Sequence, residues 1–551
     1  MNKLFGLIIL AVLLSDIKPI TAQDHQYTRQ DSLRGSITPE RIWWDLTYYH
    51  LDLKVDIDNK FIFGKNSVYY KVLTPNQVIQ IDLQPPMKID KVLQNGKELT
   101  VRHETNAHFI ELSEVQREGA QMELDIYYSG NPIEAKNAPW DGGIVWSRDK
   151  KGNPFVASAC QGIGASVWWP CKDHSYDEPD SMLISTTVPE TLTNVSNGRL
   201  RKVDENVDGT KTYHWFVSNP INNYGVNINI GNYVHFSEKY TGEKGSLDMD
   251  FYVLKYNLKK AQKQFTQAAM TIEALEYWFG PYPFYEDGYK LVEVPYLGME
   301  HQSSVTYGNG YSNGYRGRDL SSSGWGMKFD FIIVHESGHE WFANNITNID
   351  VADMWIHESF TSYSENLFLD YHYGKKASSE YVIGTRLNIV NDEPIIADYG
   401  VNQRSSIDIY YKGSNILHTL RQIIDNDEKW RQILRGLNKE FYHQTVSTRQ
   451  VENFISQQVG INLKSFFDQY LRDSRMPVLE YFIRNNELNA RWTNCLGEFD
   501  MSLKIKSNGK EHWIKPTTQW QVMKLDEKTE SIRIDSNFYV GSMNVLGNSK
   551  D

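Results

Sequence analysis

Two histidines and two glutamates are spaced so that they could bind a metal ion and activate a water molecule beside it. His335, Glu336 and His339 form the segment His-Glu-Ser-Gly-His, and eighteen residues separate His339 from Glu358. Residues four apart on an α-helix share one face, so both imidazoles can reach a single ion while Glu336 addresses a water. Three protein ligands would leave the fourth position of a Zn²⁺ ion open for chemistry.

A buried helix is predicted to carry the two histidines. Residues 327–334 are largely apolar, and Trp341, Phe342 and Ile346 continue helical spacing beyond the histidines. A second helix is predicted over residues 358–373 and would pack antiparallel against the first. Its core-facing side chains are Phe360, Tyr363, Leu367 and Phe368.

The third ligand has two candidates in adjacent positions. Glu358 opens the second predicted helix, and His357 directly precedes it. Glu358 is the preferred ligand, with His357 as the alternative. A further acid, Glu365, lies two turns after Glu358 on the same face, where it could accept a hydrogen bond from a metal-bound histidine. An exposed acid is the other interpretation of Glu365.

Several segments together resemble the motifs of one enzyme family. Residues 335–344 and 355–360 are similar to a zinc helix and a third-ligand segment at the family's spacing. The family is peptidase family M1, the gluzincin aminopeptidases that include alanyl aminopeptidases and leukotriene hydrolase. The resemblance covers roughly residues 40–475. It implies one Zn²⁺ per chain, held by His335, His339 and Glu358, with Glu336 as general base.

Residues 296–301, Tyr-Leu-Gly-Met-Glu-His, resemble the family's exopeptidase motif Gly-Ala-Met-Glu-Asn. The resemblance implies that Glu300 binds the free α-ammonium group of a substrate, a cation that an internal peptide bond lacks. Gly298 and Met299 are further substrate-binding candidates, and Met299 could offer an adaptable apolar wall. His301 replaces the family's asparagine.

Two other segments complete the resemblance. Residues 159–162 are similar to the family's amine-binding strand, which implies that Gln161 is a second amine anchor. Residues 408–413 resemble its Tyr-x-Lys-Gly segment, whose tyrosine donates a hydrogen bond to the oxyanion. The spacing to Lys412 selects Tyr410 rather than Tyr411 for that role.

The 551 residues are too many for one ordinary core, and the pattern changes along the chain. We predict a multidomain α+β fold. Alternating polarity, as in residues 50–57, predicts an N-terminal antiparallel β domain over 23–239. Helical spacing dominates residues 240–475, and the family resemblance implies that this region is a thermolysin-like α/β zinc catalytic domain. Alternation returns in residues 476–551, which predict a small C-terminal β domain and a cleft more open than in relatives with a helical C-terminal domain.

Residues 1–22 are typical of a secretory signal peptide, with Lys3 followed by a short apolar run. An uncleaved anchor is the alternative. We therefore expect an exported protein, periplasmic or secreted, with no stable membrane insertion after signal cleavage. Of the three cysteines, Cys160 and Cys171 could pair if their strands adjoin.

The net charge of −12, from 57 basic and 69 acidic side chains without a basic cluster, argues against nucleic acid as a partner. The predicted partners are peptides with a free N-terminal amine; the oligomeric state stays open. Leukotriene hydrolase suggests epoxide hydrolysis as an alternative, but Asn402 and Ser405 stand where that enzyme has an aspartate and a tyrosine. A catalytically inactive scaffold is a third hypothesis, against which the complete set of candidate ligands and catalytic groups argues.

Overall fold

The computed structural model describes residues 26–524, 529 and 531–546, so the predicted signal peptide lies outside the described residues. Within them the chain forms an N-terminal region of strands, a central region of helices around a mixed sheet, and a C-terminal region of short strands. The predicted multidomain α+β fold is confirmed.

The N-terminal region holds two short helices and fifteen strands among the described residues. The helices are α1 (Arg29–Gly35) and α2 (Pro39–Ile42). The strands are β1 (Trp44–Asp56), β2 (Phe61–Val72), β3 (Asn76–Asp82), β4 (Lys88–Gln94), β5 (Lys97–Glu98), β6 (Thr100–Glu104), β7 (Ala107–Gln116), β8 (Gln121–Gly130), β9 (Gly143–Arg148), β10 (Pro154–Ala159), β11 (Ser181–Pro189), β12 (Thr193–Val195), β13 (Arg199–Glu205), β14 (Thr210–Val217) and β15 (Asn229–Gly231).

Alternating polarity builds these strands into sheets with one buried face. In β1, Leu51 and Leu53 are buried whereas Asp52 is exposed. The largest sheet has the order β13-β14-β11-β1-β2-β8-β4-β5, beside sheets β12-β15-β10-β9 and β3-β7-β6. Neighbouring strands are antiparallel except β1 and β11, which run parallel. Asn95 and Gly96, both with positive φ, close the β4–β5 hairpin, as an Asn-Gly pair predicts.

The central region contains the helices that carry most of the candidate site. Its strands are β16 (Tyr233–Gly242), β17 (Gly245–Leu254), β18 (Tyr289–Glu293), β19 (Gly298–Met299), β20 (Val305–Tyr307), β21 (Ile346–Asn348) and β22 (Gln444–Val446). Its helices are α3 (Leu258–Gln264), α4 (Thr266–Phe279), α5 (Phe331–Gly338), α6 (Trp355–Tyr373), α7 (Lys375–Thr385), α8 (Tyr411–Ile424), α9 (Asp427–Glu440), α10 (Thr448–Val459) and α11 (Lys464–Arg472).

The central sheet has the order β16-β17-β18-β20-β19. The predicted domain boundary after residue 239 falls inside β16, which pairs along its length with β17. The boundary after residue 239 stays a prediction. Helices α5 and α6 are in contact, as predicted for the two ligand-bearing helices.

The helix through the histidine motif is shorter than predicted. Regular α-helix ends at Gly338, and the amides of Asn344, Asn345 and Ile346 then bond to carbonyls five residues back. Such π-type turns widen the backbone. Ile346 itself enters β21, which pairs in parallel with β22. The helical spacing of Ile346 was misleading because pairing with a distant strand determines its conformation.

The C-terminal region forms two small sheets, β27-β24-β23-β29 and β26-β25-β28. Their strands are β23 (Val478–Arg484), β24 (Glu487–Thr493), β25 (Leu503–Ser507), β26 (Lys510–Ile514), β27 (Gln521–Lys524), β28 (Arg533–Ile534) and β29 (Gly541–Asn544). Trp492 and Phe499 join one apolar core with Tyr470 of α11. A region this small gains stability by sharing the core of its neighbour.

The structure also bears on the predicted cysteine pair and on membrane insertion. Cys160, Cys171 and Cys495 are all free, so the disulfide between Cys160 and Cys171 does not form in this structure. Within the described part of the chain, no helix is both long and apolar enough to cross a lipid bilayer.

Candidate metal centre and active site

Helices α5 and α6 bring together His335, His339 and Glu358. Their ligand atoms all lie within 4.8 Å of one another, and all three side chains are buried. Oε2 of Glu358 is 3.8 Å from Nε2 of His335 and 3.5 Å from Nε2 of His339. Two imidazoles and one carboxylate are a donor set that binds a metal ion and leaves a coordination position open.

One carboxylate oxygen of Glu358 has no hydrogen-bond partner in the described part of the chain. Its Oε1 accepts a hydrogen bond from Gln161, whereas the buried Oε2 has no hydrogen-bond donor among the described residues. A buried charged oxygen without a partner is costly. Because Oε2 is the atom nearest the two histidines, a cation bound there would satisfy it.

His357, the alternative ligand, is held away from this cluster. Its Nε2 accepts a hydrogen bond from the backbone amide of Asn348 at 2.8 Å. Burial lowers the pKa of His357 to about 3, so the ring is neutral. The structure thus assembles the set with Glu358 and uses His357 to bind a backbone group.

Hydrogen bonds orient both metal-binding imidazoles. Nδ1 of His335 lies 2.9 Å from Oε1 of Glu365, whose other oxygen accepts a 2.5 Å hydrogen bond from Tyr381. Nδ1 of His339 lies 3.0 Å from the carbonyl of Phe342 and 3.0 Å from the hydroxyl of Thr361. When Nδ1 donates to these acceptors, the lone pair of Nε2 faces the metal position.

Glu336 lies between the candidate metal ligands and residues 296–301. Its carboxylate shares a 4.8 Å cluster with Glu300 and His339. A Cβ at Gly298 would lie 2.6 Å from the Ile332 side chain, so only glycine lets β19 approach α5 this closely. Burial raises the pKa of Glu336, against the opposing charge of His335. A carboxylate whose pKa is raised is a stronger base than an ordinary carboxylate.

Glu300 and Gln161 are hydrogen-bonded to each other although they come from different regions of the chain. Gln161 follows β10, and its Nε2 donates to Oε1 of Glu300 and to Oε1 of Glu358, each at 2.7 Å. The side chain of Asn344 holds the backbone carbonyl of Glu300 at 2.9 Å. Two carboxylates around one N–H donor form a place suited to an ammonium group.

His301 and Met299 face the protein interior. Nδ1 of His301 lies 3.2 Å from the hydroxyl of Thr306, and burial lowers the pKa of His301 to about 3. The ring of His301 is therefore neutral. Met299 is 2% exposed and packs with Ala159 and Tyr296, which leaves little of its side chain to contact a substrate.

Tyr410 directly precedes α8 and stacks near the first histidine. Its ring centroid lies 6.2 Å from that of His335, with 28° between the planes. Burial, together with the neighbouring Glu358 carboxylate, raises the pKa of Tyr410 well above its ordinary value. The hydroxyl therefore stays protonated and can donate a hydrogen bond.

Comparison with known proteins agrees with this geometry. The family model of the peptidase family M1 domain matches residues 263–470, and that of the peptidase M1 N-terminal domain matches residues 46–224. Together they match more than two thirds of the chain. The chain belongs to peptidase family M1.

Individual M1 relatives are distant in sequence. The chain is 22% identical to leukotriene A-4 hydrolase from Xenopus laevis, over 76% of this chain and 68% of that protein. It is 21% identical to probable aminopeptidase 1 from Sulfurisphaera tokodaii, over 85% of this chain but 59% of that relative's length. An M1 zinc metallopeptidase from Deinococcus radiodurans has the same fold, with a TM-score of 0.66 at 20% identity over 80% of this chain and 96% of that one.

Zinc is the metal of this M1 protein, and the residues present fit it. The donor set of His335, His339 and Glu358 is a usual zinc set, and the unpartnered Oε2 of Glu358 provides its carboxylate oxygen. The groups needed for epoxide hydrolysis do not appear at the expected positions. Asn402 lines a cavity beside Gln161, and Ser405 has a buried hydroxyl without a partner among the described residues.

Three residues of this M1 site were not identified from the sequence. Thr361 lies one turn after Glu358, and that spacing could have indicated it. Tyr381 supports Glu365 from α7, and Arg404 donates to Oε1 of Gln161 at 3.1 Å from a loop. No local sequence pattern indicates Tyr381 or Arg404, because their contacts depend on how distant segments pack.

Proposed function

We propose that the protein is a zinc aminopeptidase that removes the N-terminal residue from peptides. The observation that carries this proposal is the cluster of Glu300, Glu336 and His339, in which one ligand atom from each residue lies within 4.8 Å of the other two. A carboxylate so close to the catalytic groups selects a substrate whose ammonium group adjoins the scissile bond. Only the first residue of a peptide has that arrangement.

The arrangement assigns a role to each group. When bound by His335, His339 and Glu358, zinc supplies a Lewis acid that polarises the scissile carbonyl and lowers the pKa of a water molecule. Glu336 takes a proton from the attacking water and delivers it to the leaving amine. Tyr410 donates a hydrogen bond to the carbonyl oxygen as negative charge develops there.

Gln161 indicates where the substrate amine would bind. Its amide nitrogen donates to Glu300 and Glu358 in the free protein, so an N–H donor already occupies this place. A substrate ammonium would take over the hydrogen bond to Glu300, and a charged donor binds a carboxylate more strongly than an amide does.

Product analysis tests this function. Zinc-loaded protein incubated with a tripeptide should release one free amino acid and a dipeptide, identified by mass spectrometry. The Deinococcus relative was solved with a Tyr-Ser-Ala substrate, which makes that tripeptide a suitable first choice. Internal cleavage of a longer peptide would contradict the proposal, and bound zinc without any cleavage would favour the inactive scaffold.

We also propose that the protein is exported. The support is the apolar run within residues 1–22 and the small residues that end it. N-terminal sequencing of the mature protein should give a first residue near Gln23. An intact Met1 on protein recovered from the cytoplasm would contradict export.

A further inference from the structure

A cavity of about 110 Å³ adjoins the amine-binding groups. Gln161 and Tyr224 belong to its wall. Gln161 also donates to Glu300 and to Glu358, each at 2.7 Å, so the cavity lies beside both carboxylates. The metal-binding histidines and Glu336 do not line it. The first side chain of a peptide leaves the carbon atom that bears the amine, so a space next to the amine anchors can receive it.

Arg34, Asp173 and His174 line this wall, and each already interacts with other protein groups. Arg34 is 3.9 Å from Asp173, and Asp173 also accepts a 2.5 Å hydrogen bond from Ser166. His174 lies between a carbonyl acceptor at Gly35 and a backbone donor, and burial lowers its pKa to about 3. The remaining charged wall residue is Arg404.

Among the described residues, Arg404 has no carboxylate partner. In the part of the chain that the structure describes, its one hydrogen bond goes to Oε1 of Gln161 at 3.1 Å, and it forms no salt bridge. A guanidinium group offers five N–H donors in a planar fork. Most of its donors are therefore available to a ligand.

Gly162 lets the guanidinium group of Arg404 lie next to Gln161, because glycine has no side chain there. A Cβ at Gly162 would lie 2.8 Å from Nε and 2.9 Å from Nη2 of Arg404. Gly162 also has a φ of +78°, which side-chain-bearing residues rarely adopt. A glycine directly after Gln161 thus allows Arg404 to lie against the backbone at the cavity wall.

We propose that Arg404 makes this enzyme prefer peptides that begin with glutamate or aspartate. The carboxylate of the first side chain would enter the cavity and accept hydrogen bonds from the free N–H groups of Arg404, while the ammonium group binds Glu300. This inference rests on the proposed aminopeptidase function. Hydrogen bonds to charged groups of this kind correspond to a preference of about 10- to 100-fold over a neutral side chain.

The test compares glutamyl, glutaminyl and alanyl fluorogenic amides on the zinc-loaded full chain. The ratio of kcat/KM for the glutamyl amide to that for the glutaminyl amide should be about 10 to 100 in the unmodified protein. Arg404→Gln should bring this ratio close to one, and Arg404→Lys should keep part of it. Arg484→Gln, a change at an exposed arginine of β23, is the matched control and should leave the ratio unchanged.

The assay distinguishes a failure of the proposed side-chain preference from a failure of the proposed aminopeptidase function. Hydrolysis of the glutaminyl and alanyl amides without a preference for the glutamyl amide would overturn the inference and leave the aminopeptidase function standing. An equal loss on all three amides in Arg404→Gln, with the ratio intact, would also overturn it, because Arg404 would then act only by orienting Gln161. Hydrolysis of no amide at all would overturn the proposed function and this inference with it.

Discussion

Gln161 donates a hydrogen bond to Glu358 at 2.7 Å, so a side chain of the N-terminal region contacts a metal ligand of the central region. The same nitrogen lies 2.7 Å from Glu300. The amine anchor and the metal ligand are therefore separated by a single amide group. Under the proposed function, this short separation would let one residue of a substrate present its amine to Glu300 and its carbonyl to the metal at the same time.

Glu336→Gln should lower kcat by about 10²- to 10⁴-fold, the usual contribution of a general base. Zinc content should stay stoichiometric, because Glu336 is not in the set of His335, His339 and Glu358. Steady-state kinetics and metal analysis of the same preparation check both statements. Glu190→Gln, at an exposed site in the N-terminal region, serves as the control. Retained turnover in Glu336→Gln would rule out its role as base.

Tyr410→Phe should lower kcat by about 10²- to 10³-fold with a small change in KM, because the hydroxyl acts on charge that develops in the transition state. Tyr411→Phe is a matched change at the next residue and should have a much smaller effect. Kinetics of both variants on an alanyl amide make the comparison. Equal losses in the two variants would contradict the assignment of Tyr410.

Glu365→Ala should weaken zinc binding by about 10- to 100-fold, because it removes the acceptor that orients His335. Tyr381→Phe should have a smaller effect, since Glu365 remains in place. Competition with a chelator of known affinity measures both variants. If zinc affinity is unchanged in Glu365→Ala, the hydrogen bond to His335 does not support the metal.

His174 should make the folded protein sensitive to acid. Burial, with the charge of Arg41, lowers its pKa to about 3 in the folded state, whereas an unfolded histidine titrates near 6.5. Between these values the unfolded chain binds the proton and the folded chain does not, so stability is lost as pH falls from 6.5 towards 3. At pH 5 the loss from this group is about 2 kcal/mol relative to pH 7.

Urea unfolding of wild type and His174→Gln at pH 7 and pH 5 measures this contribution. The free energy of unfolding of the wild type should fall more than that of the variant between the two pH values. Lys172 and Asp173 also face the ring, so the difference between the two proteins is the informative quantity. Equal pH dependence would show that His174 is not the group responsible.

Much of the fold could be predicted because its signals are local. The alternation in β1 and the Asn95-Gly96 turn depend on neighbouring residues, and the structure has both. The end of α5 and the parallel pairing of β1 with β11 depend on segments far apart in the chain. Local spacing therefore predicted the elements, but it could not predict where distant pairing ends them.

The candidate site also combines features that local sequence predicts with contacts that depend on distant segments. The spacing of His335 and His339 on one helix indicates the metal position without any tertiary information. By contrast, the contacts of Gln161 with Glu358 and of Arg404 with Gln161 join segments that only folding brings together. The sequence predicted Gln161 through its resemblance to a family, and it contained no signal for Arg404.

The most direct test of the central claim compares an alanyl fluorogenic amide with its N-acetylated form, on wild type and on Glu300→Gln. The wild type should cleave the free amine and should cleave the acetylated amide at least about 30-fold more slowly, the cost of losing one partner of a buried charge pair. Glu300→Gln should lose a similar factor on the free amine and little on the acetylated form. Cleavage of both amides at equal rates, or an unchanged Glu300→Gln enzyme, would contradict recognition of the N-terminal amine by Glu300.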